Sequence, residues 1–257
     1  MTIPENTGDF ATEFKDFLDC FVVVGGTPSA LYMEQRIGFN KATKDLDIVI
    51  LEKGDTKRSK QFFTRLKKYI EDHGYKSEEL KSGKAQAFRF TNPTSGKLVP
   101  KEIEIATERQ KDILFDRATQ RIEEFDMSSI VCEPYIIELL NRYTENFDLG
   151  NGVQLPVPKP SLLILMKSYA VINLEKSENA REKTKAEKHL KDIVRLALGL
   201  LDGDQIEVMK DAYDHLDELF KEASKRFSRE RLFSCGWEED DSLTKLEEAI
   251  REYIKRV

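Results

Sequence analysis

The stretch FVVVGGTPSALYMEQRIGFNKATKDLDIVI, residues 21–50, decides how this chain is read. Four apolar β-formers end in Gly25-Gly26, and about twenty residues later Asp45 and Asp47 open a second apolar run. The first run reads as a buried strand that the glycine pair punctuates. TPSALYMEQRI, 27–37, reads as a helix with Thr27 as its cap and Pro28 at the first helical position, where a missing N–H is no loss. DLDIVIL, 45–51, is the next strand. Residues i and i+2 of a strand share a face and lie roughly 6–7 Å apart. Asp45 and Asp47 therefore point the same way, on a face that Leu46, Ile48 and Ile50 do not all share. Two such carboxylates repel each other unless a cation lies between them. Oxygen ligands of this kind suit Mg2+, which is usually held by one or two carboxylates and the phosphates of a substrate.

A third carboxylate on a neighbouring strand would complete a two-metal arrangement. KEIEIAT, 101–107, is the strand-like segment that supplies one, with Glu102 and Glu104 alternating with Ile103 and Ile105. Glu104 is the better choice, because isoleucines flank it on both sides, and a carboxylate in an apolar strand is costly unless it is paired or metal-bound. The glycine turn supplies the complementary half. Gly25 and Gly26 let the backbone approach a ligand, the helix that follows favours an anion at its start, and Thr27 and Ser29 add hydroxyls. The turn is neither a Walker A loop nor a GxGxxG fingerprint, since no Gly-Lys-Ser/Thr follows and there is no third glycine.

Beyond this stretch the first half alternates strands and helices. A short amphipathic helix is expected over 12–19, and a longer one over 55–74, with Asp55 as cap and Gly74 as stop. QAFRFTN and LVPKEIEIAT read as strands paired around the turn NPTSG, 92–96, and SSIVCE as one strand more. Strand–helix–strand units imply a mixed sheet covered by helices. NFDLGNGVQLPVPKPS, 146–161, reads as a connector, after which helices are expected over 160–175, 178–200, 204–226 and 242–256, with FSRERLFSCGW a less regular piece. The expectation is an α/β (α+β) protein: a mixed-sheet catalytic domain over 1–150 and an all-helical domain over 151–257.

Composition narrows the function classes. The chain has 257 residues and a net charge of −6, with 40% hydrophobic and 34% charged residues, which is a globular balance without a sequence-wide basic footprint for duplex nucleic acid. Cys20, Cys132 and Cys235 do not have zinc-ligand spacing, and His73, His189 and His215 are expected on helix surfaces rather than on a metal. The start of the chain lacks the basic and apolar regions of a signal peptide, and SLLILMKSYAVI, the nearest thing to a membrane span, is interrupted by Lys167. A cytoplasmic location and no membrane partner are expected. The stretch KEASKRFSRERLF, 221–233, interleaves aromatics with arginines. It reads either as a grip on single-stranded RNA or as an amphipathic helix end with Phe227, Leu232 and Phe233 in the core, and Trp237 packed nearby.

A strand ending in Gly-Gly, a helix, an Asp-hydrophobic-Asp strand and a later hydrophobic-acid-hydrophobic strand resemble the polymerase-β-type nucleotidyltransferase superfamily. Within it, GGTPSAL and KATKDLDIVI are similar to the AbiEii-like branch, which includes bacterial and archaeal toxin nucleotidyltransferases. That branch shows Gly-Gly-x-Ala-x-x-Leu followed by Arg-x-Thr/Ser-x-Asp-h-Asp. Here Lys41 stands at the arginine position, Thr43 at the Thr/Ser position and a proline inside the glycine motif. Glu104 stands where aspartate is commoner. The region from VPKPSLLILMKSY to KHLKDIVRLA is similar to the branch's helical region, so that the resemblance covers about residues 20–200.

The resemblance implies Mg2+-dependent transfer of a nucleoside monophosphate from an NTP such as ATP to an acceptor hydroxyl. Asp45, Asp47 and Glu104 would be the catalytic and metal-binding acids, with Glu104 also helping to take the acceptor's proton. Gly25, Gly26, Thr27 and Ser29 would cradle the phosphates, Lys167 would contact the nucleotide, and Asp192 would support it. Residue by residue, Lys167 can also be read as a stem whose amine reaches water, and Asp192 as a partner of Lys188 or Lys191 or of its own helix. The acceptor is RNA, protein or a small molecule, and a toxin would have a cognate antitoxin. Two other readings are a nucleotide-sensing partner without turnover and an adenylyltransferase resembling the aminoglycoside-modifying enzymes.

Overall fold

The computed structural model describes residues 7–51, 56–79, 85–109, 119–122, 127–176, 179–226, 228–238 and 242–257. The Asp55 cap and Phe227 fall outside them. The chain divides into two compact units, one of residues 1–31 and 42–158, the other of 32–41 and 159–257.

The first unit is a mixed sheet with helices. Among the described residues its strands β1 (Phe21–Val24), β2 (Asp45–Ile50), β3 (Lys76–Glu79), β4 (Ala85–Thr91) and β5 (Glu102–Glu108) run in the order β1-β2-β5-β4-β3. Strand β6 (Thr119–Ile122) pairs with β7 (Met127–Cys132), and β7 pairs with β5. The β2–β5 and β5–β7 pairs are parallel and the others antiparallel. Pairing across the NPTSG turn occurs as expected, with Arg89 opposite Glu104 and Thr91 opposite Glu102.

The alternation in β2 and β5 is the origin of the sheet's two faces. Leu46, Ile48, Ile50, Ile103 and Ile105 are buried on one of them, whereas Asp45, Asp47, Glu102 and Glu104 are exposed or half-buried on the other. Helices α1 (Thr7–Glu13) and α3 (Thr56–Asp72) contribute an aromatic cluster to the apolar side. Phe21 of β1 stacks on Phe62 of α3 with centroids 5.5 Å apart, and Phe10 and Phe14 meet Phe21 edge-on. The expected 12–19 helix is instead α1 followed by a 3-10 turn, Lys15–Phe17.

Residues 146–161 are not a connector. β8 (Thr144–Gly150) and β9 (Val153–Pro158) form an antiparallel hairpin that packs on β1, preceded by helix α4 (Pro134–Arg142). The glycines that suggested a linker make its turn, where Gly150, Asn151 and Gly152 all have positive φ. Pro156 and Pro158 are tolerated because β9 pairs, among the described residues, on one side only.

The second unit is built around α5 (Pro160–Glu175), which is apolar on most of its circumference and correspondingly buried, as its Leu162–Leu165 run requires. Helices α6 (Ala180–Leu198) and α7 (Lys210–Ala223) pack against α5; α9 (Ser242–Tyr253) contacts α6 and the short α8 (Arg229–Ser234). Two expected helices are shorter than the pattern suggests, because Ile206–Val208 (β10) and Ile254–Arg256 (β11) form a parallel pair. Ile206 and Val208 are buried with Glu207 exposed between them, a period of two that a helix cannot bury. In the 221–233 stretch Leu232 is buried but Phe233 is exposed, and Trp237 is buried. Of the histidines, His73 is buried rather than on a helix surface, with Nδ1 3.0 Å from the Ser95 hydroxyl, whereas His189 and His215 are half-buried on helices, the latter stacked on Tyr169. No described helix is long and apolar enough to cross a membrane.

Candidate active site

The open face of the sheet gathers the sequence candidates of the first unit into rows. Across one row stand Val24 of β1, Asp47 of β2, Glu104 of β5 and Arg89 of β4, each the register partner of the next. Asp45, Glu102 and Thr91 form the next row. Register partners on adjacent strands lie about 5 Å apart and share a face, so four carboxylates occupy a small patch. Asp45 is exposed at the start of β2 and Asp47 is half-buried behind it.

The glycine turn lies against the second aspartate. Gly25 has φ +74, in the left-handed region, and α2 (Gly26–Ile37) starts at the next residue. A Cβ on Gly25 would stand 3.1 Å from Asp47 Cγ and closer still to its Oδ2. The bare Cα of Gly25 is thus what leaves room for the Asp47 carboxylate. Gly26 is less confined, since a Cβ there would meet Thr43 alone, its Oγ1 at 3.2 Å and its Cβ at 4.0 Å.

The two hydroxyls expected to reach a phosphate are engaged elsewhere. Thr27 does not cap its own helix but donates to the Asp45 carbonyl at 3.0 Å, and Ser29 donates to the Gly25 carbonyl at 2.8 Å. Both residues are buried. Their bonds fasten the start of α2 to β2 and to the turn. What the turn offers an anion is therefore main-chain N–H, because the first N–H groups of a helix have no intrahelical acceptor.

Glu104 faces Asp47 in register, but its Oε2 accepts from Arg89, from Nε at 2.8 Å and from Nη2 as well. Arg89 Nε also lies 3.0 Å from Glu102 Oε1. Among the described residues no three His, Cys, Asp or Glu side chains are grouped so that they could hold a metal ion. Asp45 and Asp47 nevertheless fit Mg2+ in donor chemistry: two hard oxygen ligands on one face, beside a turn that a Cβ would block. Arg89 escaped the sequence reading. Its only signal was a cation between two phenylalanines in QAFRFTN, and the ten-residue loop 92–101 hid its register with Glu104.

In the second unit Lys167 and Asp192 meet each other. Lys167 is 4% exposed and its Nζ lies 3.0 Å from Asp192 Oδ2, so the amine does not reach for water. Asp192 also takes both oxygens to Lys41 Nζ, at 2.6 and 2.8 Å. It does not pair with Lys188 or Lys191; Lys191 is bound to Glu187. Burial pushes the Asp192 carboxyl up, but Lys167 and Lys41 outweigh it and hold the group below the usual aspartate range. Nearby His189 is pushed down to about 4 by burial first and Lys167 second, which keeps it neutral at neutral pH.

A depressed aspartate contributes stability that is full above the unfolded pKa and is lost as pH falls through the folded one. Asp192→Asn is therefore expected to lower unfolding stability at pH 7 by about 3 kcal/mol, since it leaves a buried amine short of its counter-charge. The deficit should begin to shrink as pH falls below about 4, where the unfolded-state carboxylate gains its proton, and go on shrinking as pH falls through the depressed pKa of the native group. Urea unfolding of both proteins at pH 7 and pH 3 measures it; an equal deficit at the two pH values would show that the pair's charge is not what matters.

No family model and no curated protein matches the sequence. The structure, however, is similar over 96% of this chain and 91% of the other to a crystal structure of an antigenic nucleotidyltransferase-like protein from Paracoccidioides brasiliensis, with a TM-score of 0.53 and 14% identity. It also aligns, at a TM-score of 0.34 and 10% identity, with the solution structure of the antibiotic-resistance factor ANT(2'')-Ia, covering 85% of this chain and 98% of that one. The fold is thus that of nucleotidyltransferase-like proteins, a mixed sheet with helices.

Proposed function

We infer that the chain is a nucleotidyltransferase that moves a nucleoside monophosphate from an NTP to an acceptor hydroxyl. The observation that carries this reading is the Asp47 carboxylate seated against the bare Cα of Gly25, one residue before the start of α2. That arrangement places main-chain donors for phosphate oxygens beside two carboxylates on one strand face. A divalent cation such as Mg2+ on Asp45 and Asp47 supplies charge neutralisation at the phosphates when bound. The first turn of α2 orients the triphosphate through N–H groups rather than through the Thr27 and Ser29 hydroxyls. In this reading Glu104, opposite Asp47 in register, receives the acceptor's proton at its carboxylate. Lys167 and Asp192 enter this reading through the sequence resemblance alone, as does a toxin-type role with a cognate antitoxin.

A second reading, nucleotide binding without turnover, is favoured by the engagement of Glu104 with Arg89. One experiment separates the two. The protein is incubated with each α-labelled NTP, Mg2+ and, in turn, total RNA, a protein extract and an aminoglycoside. Label moved to one of these acceptors supports the transferase and names its class; saturable NTP binding with no transfer to any of them supports the sensor.

A further inference from the structure

The acidic patch carries a built-in counter-ion. Asp45, Asp47, Glu102 and Glu104 bring four negative charges to two neighbouring rows of the sheet, and Arg89 stands at the end of the Asp47–Glu104 row. Its guanidinium bonds Glu104 Oε2 through two nitrogens and reaches Glu102 Oε1 with one of them. Like charges at this spacing repel, and an adjacent cation relieves them. A metal ion would do the same for the same oxygens. A carboxylate oxygen that already accepts two N–H bonds has little to give a metal, and arginine cannot vacate it by losing a proton.

We propose that Arg89 sets how many divalent cations the patch takes. With Arg89 on Glu104, the protein alone holds one cation, on Asp45 and Asp47; a second binds only when Glu104 leaves Arg89. The proposal rests on the transferase reading, which supplies the metal on the two aspartates. Exchange is feasible because the pair is not sealed: the Arg89 side chain is 38% exposed and that of Glu104 20%. An ion pair open to water to that degree withholds Glu104 from a free ion but can yield when a bound nucleotide brings phosphate ligands to a second cation. The same device accounts for a patch with the acids of a two-metal site but no ready-made cluster.

The test is calorimetric titration of the full chain with Mn2+ alone, beside thermal unfolding of every variant. The wild type is expected to take one Mn2+ and Arg89→Gln two, with the first bound about three- to fivefold more tightly for the loss of a partly exposed charge. Adding Glu104→Gln to Arg89→Gln should return the count to one. Glu104→Gln alone should weaken the first Mn2+ only about three- to fivefold, through the loss of one neighbouring charge, whereas Asp47→Asn should abolish it; this pair keeps the test decisive if Arg89→Gln fails to fold. Two Mn2+ in the wild type, an unchanged count and affinity in a folded Arg89→Gln, or tight-site loss in Glu104→Gln would each overturn the proposal. If the wild type transfers label in the acceptor assay but behaves in one of these ways, only the Arg89 proposal falls. If it binds no Mn2+ with or without NTP and transfers no label, the transferase reading falls and takes this one with it.

Discussion

Replacing Asp45 and Asp47 together by alanine is expected to lower nucleotide transfer by about a thousandfold or more, while the protein stays folded. The size follows from what the two carboxylates are asked to do: charge neutralisation at a phosphoryl centre is worth several kcal/mol, and each 1.4 kcal/mol is about tenfold in rate. The expectation about folding is independent. Asp45 is exposed, Asp47 is half-buried, and both face Glu102 and Glu104 on the next strand. Removing two of four like charges from one patch relieves repulsion, so thermal unfolding should occur at an unchanged or higher temperature. Loss of transfer together with retained or raised stability separates a functional pair from a structural one. Label transfer that survives the double substitution would remove the metal assignment, and a lowered unfolding temperature would mean that the aspartates support the strand edge instead.

Much of this patch was legible in residues 21–50 and 101–107, because a strand has only one period. DLDIVI and EIEIATE each alternate acid with apolar residues, and the structure aligns them in parallel with Asp45 opposite Glu102 and Asp47 opposite Glu104. The sheet's apolar face, from Phe21 to Ile105, could be read in the same way. What could not be read was pairing across distance. Arg89 meets Glu104 through a loop whose length fixes no register, and Lys41 meets Asp192 over 151 residues of chain. Local composition also misled where one residue type serves two ends: Gly150, Gly152 and the nearby prolines signal a break in structure, and in the folded chain they make a tight hairpin. The hydroxyls of Thr27 and Ser29 illustrate the same limit. Their position at a helix start pointed to a cap or a ligand, but burial gave each a nearer carbonyl.

Gly25→Ala is expected to remove nearly all transfer activity, and Gly26→Ala to leave most of it, although the two glycines are adjacent. The difference lies in what each Cα faces. At Gly25 a methyl group would take the place of the Asp47 carboxylate, and φ of +74 would itself cost an L-residue roughly 1–2 kcal/mol. The chain can relieve the clash only by swinging Asp47 away from the turn or by shifting the turn away from β2. Either movement separates the aspartate from the start of α2, and a displacement of about 1 Å at a reacting centre can cost a hundredfold in rate. At Gly26 the nearest obstacle is the Thr43 hydroxyl at 3.2 Å, a side-chain atom whose rotation would cost only its long 3.5 Å bond to the Asp45 carbonyl, and no positive φ is required there. Alanine at 26 also suits a helical residue better than glycine does. Transfer rates and unfolding midpoints for the two single variants decide the matter. Equal losses would mean that glycine is needed here merely for flexibility, whereas a loss confined to position 25 would tie catalysis to the seating of one carboxylate against one hydrogen-bearing Cα.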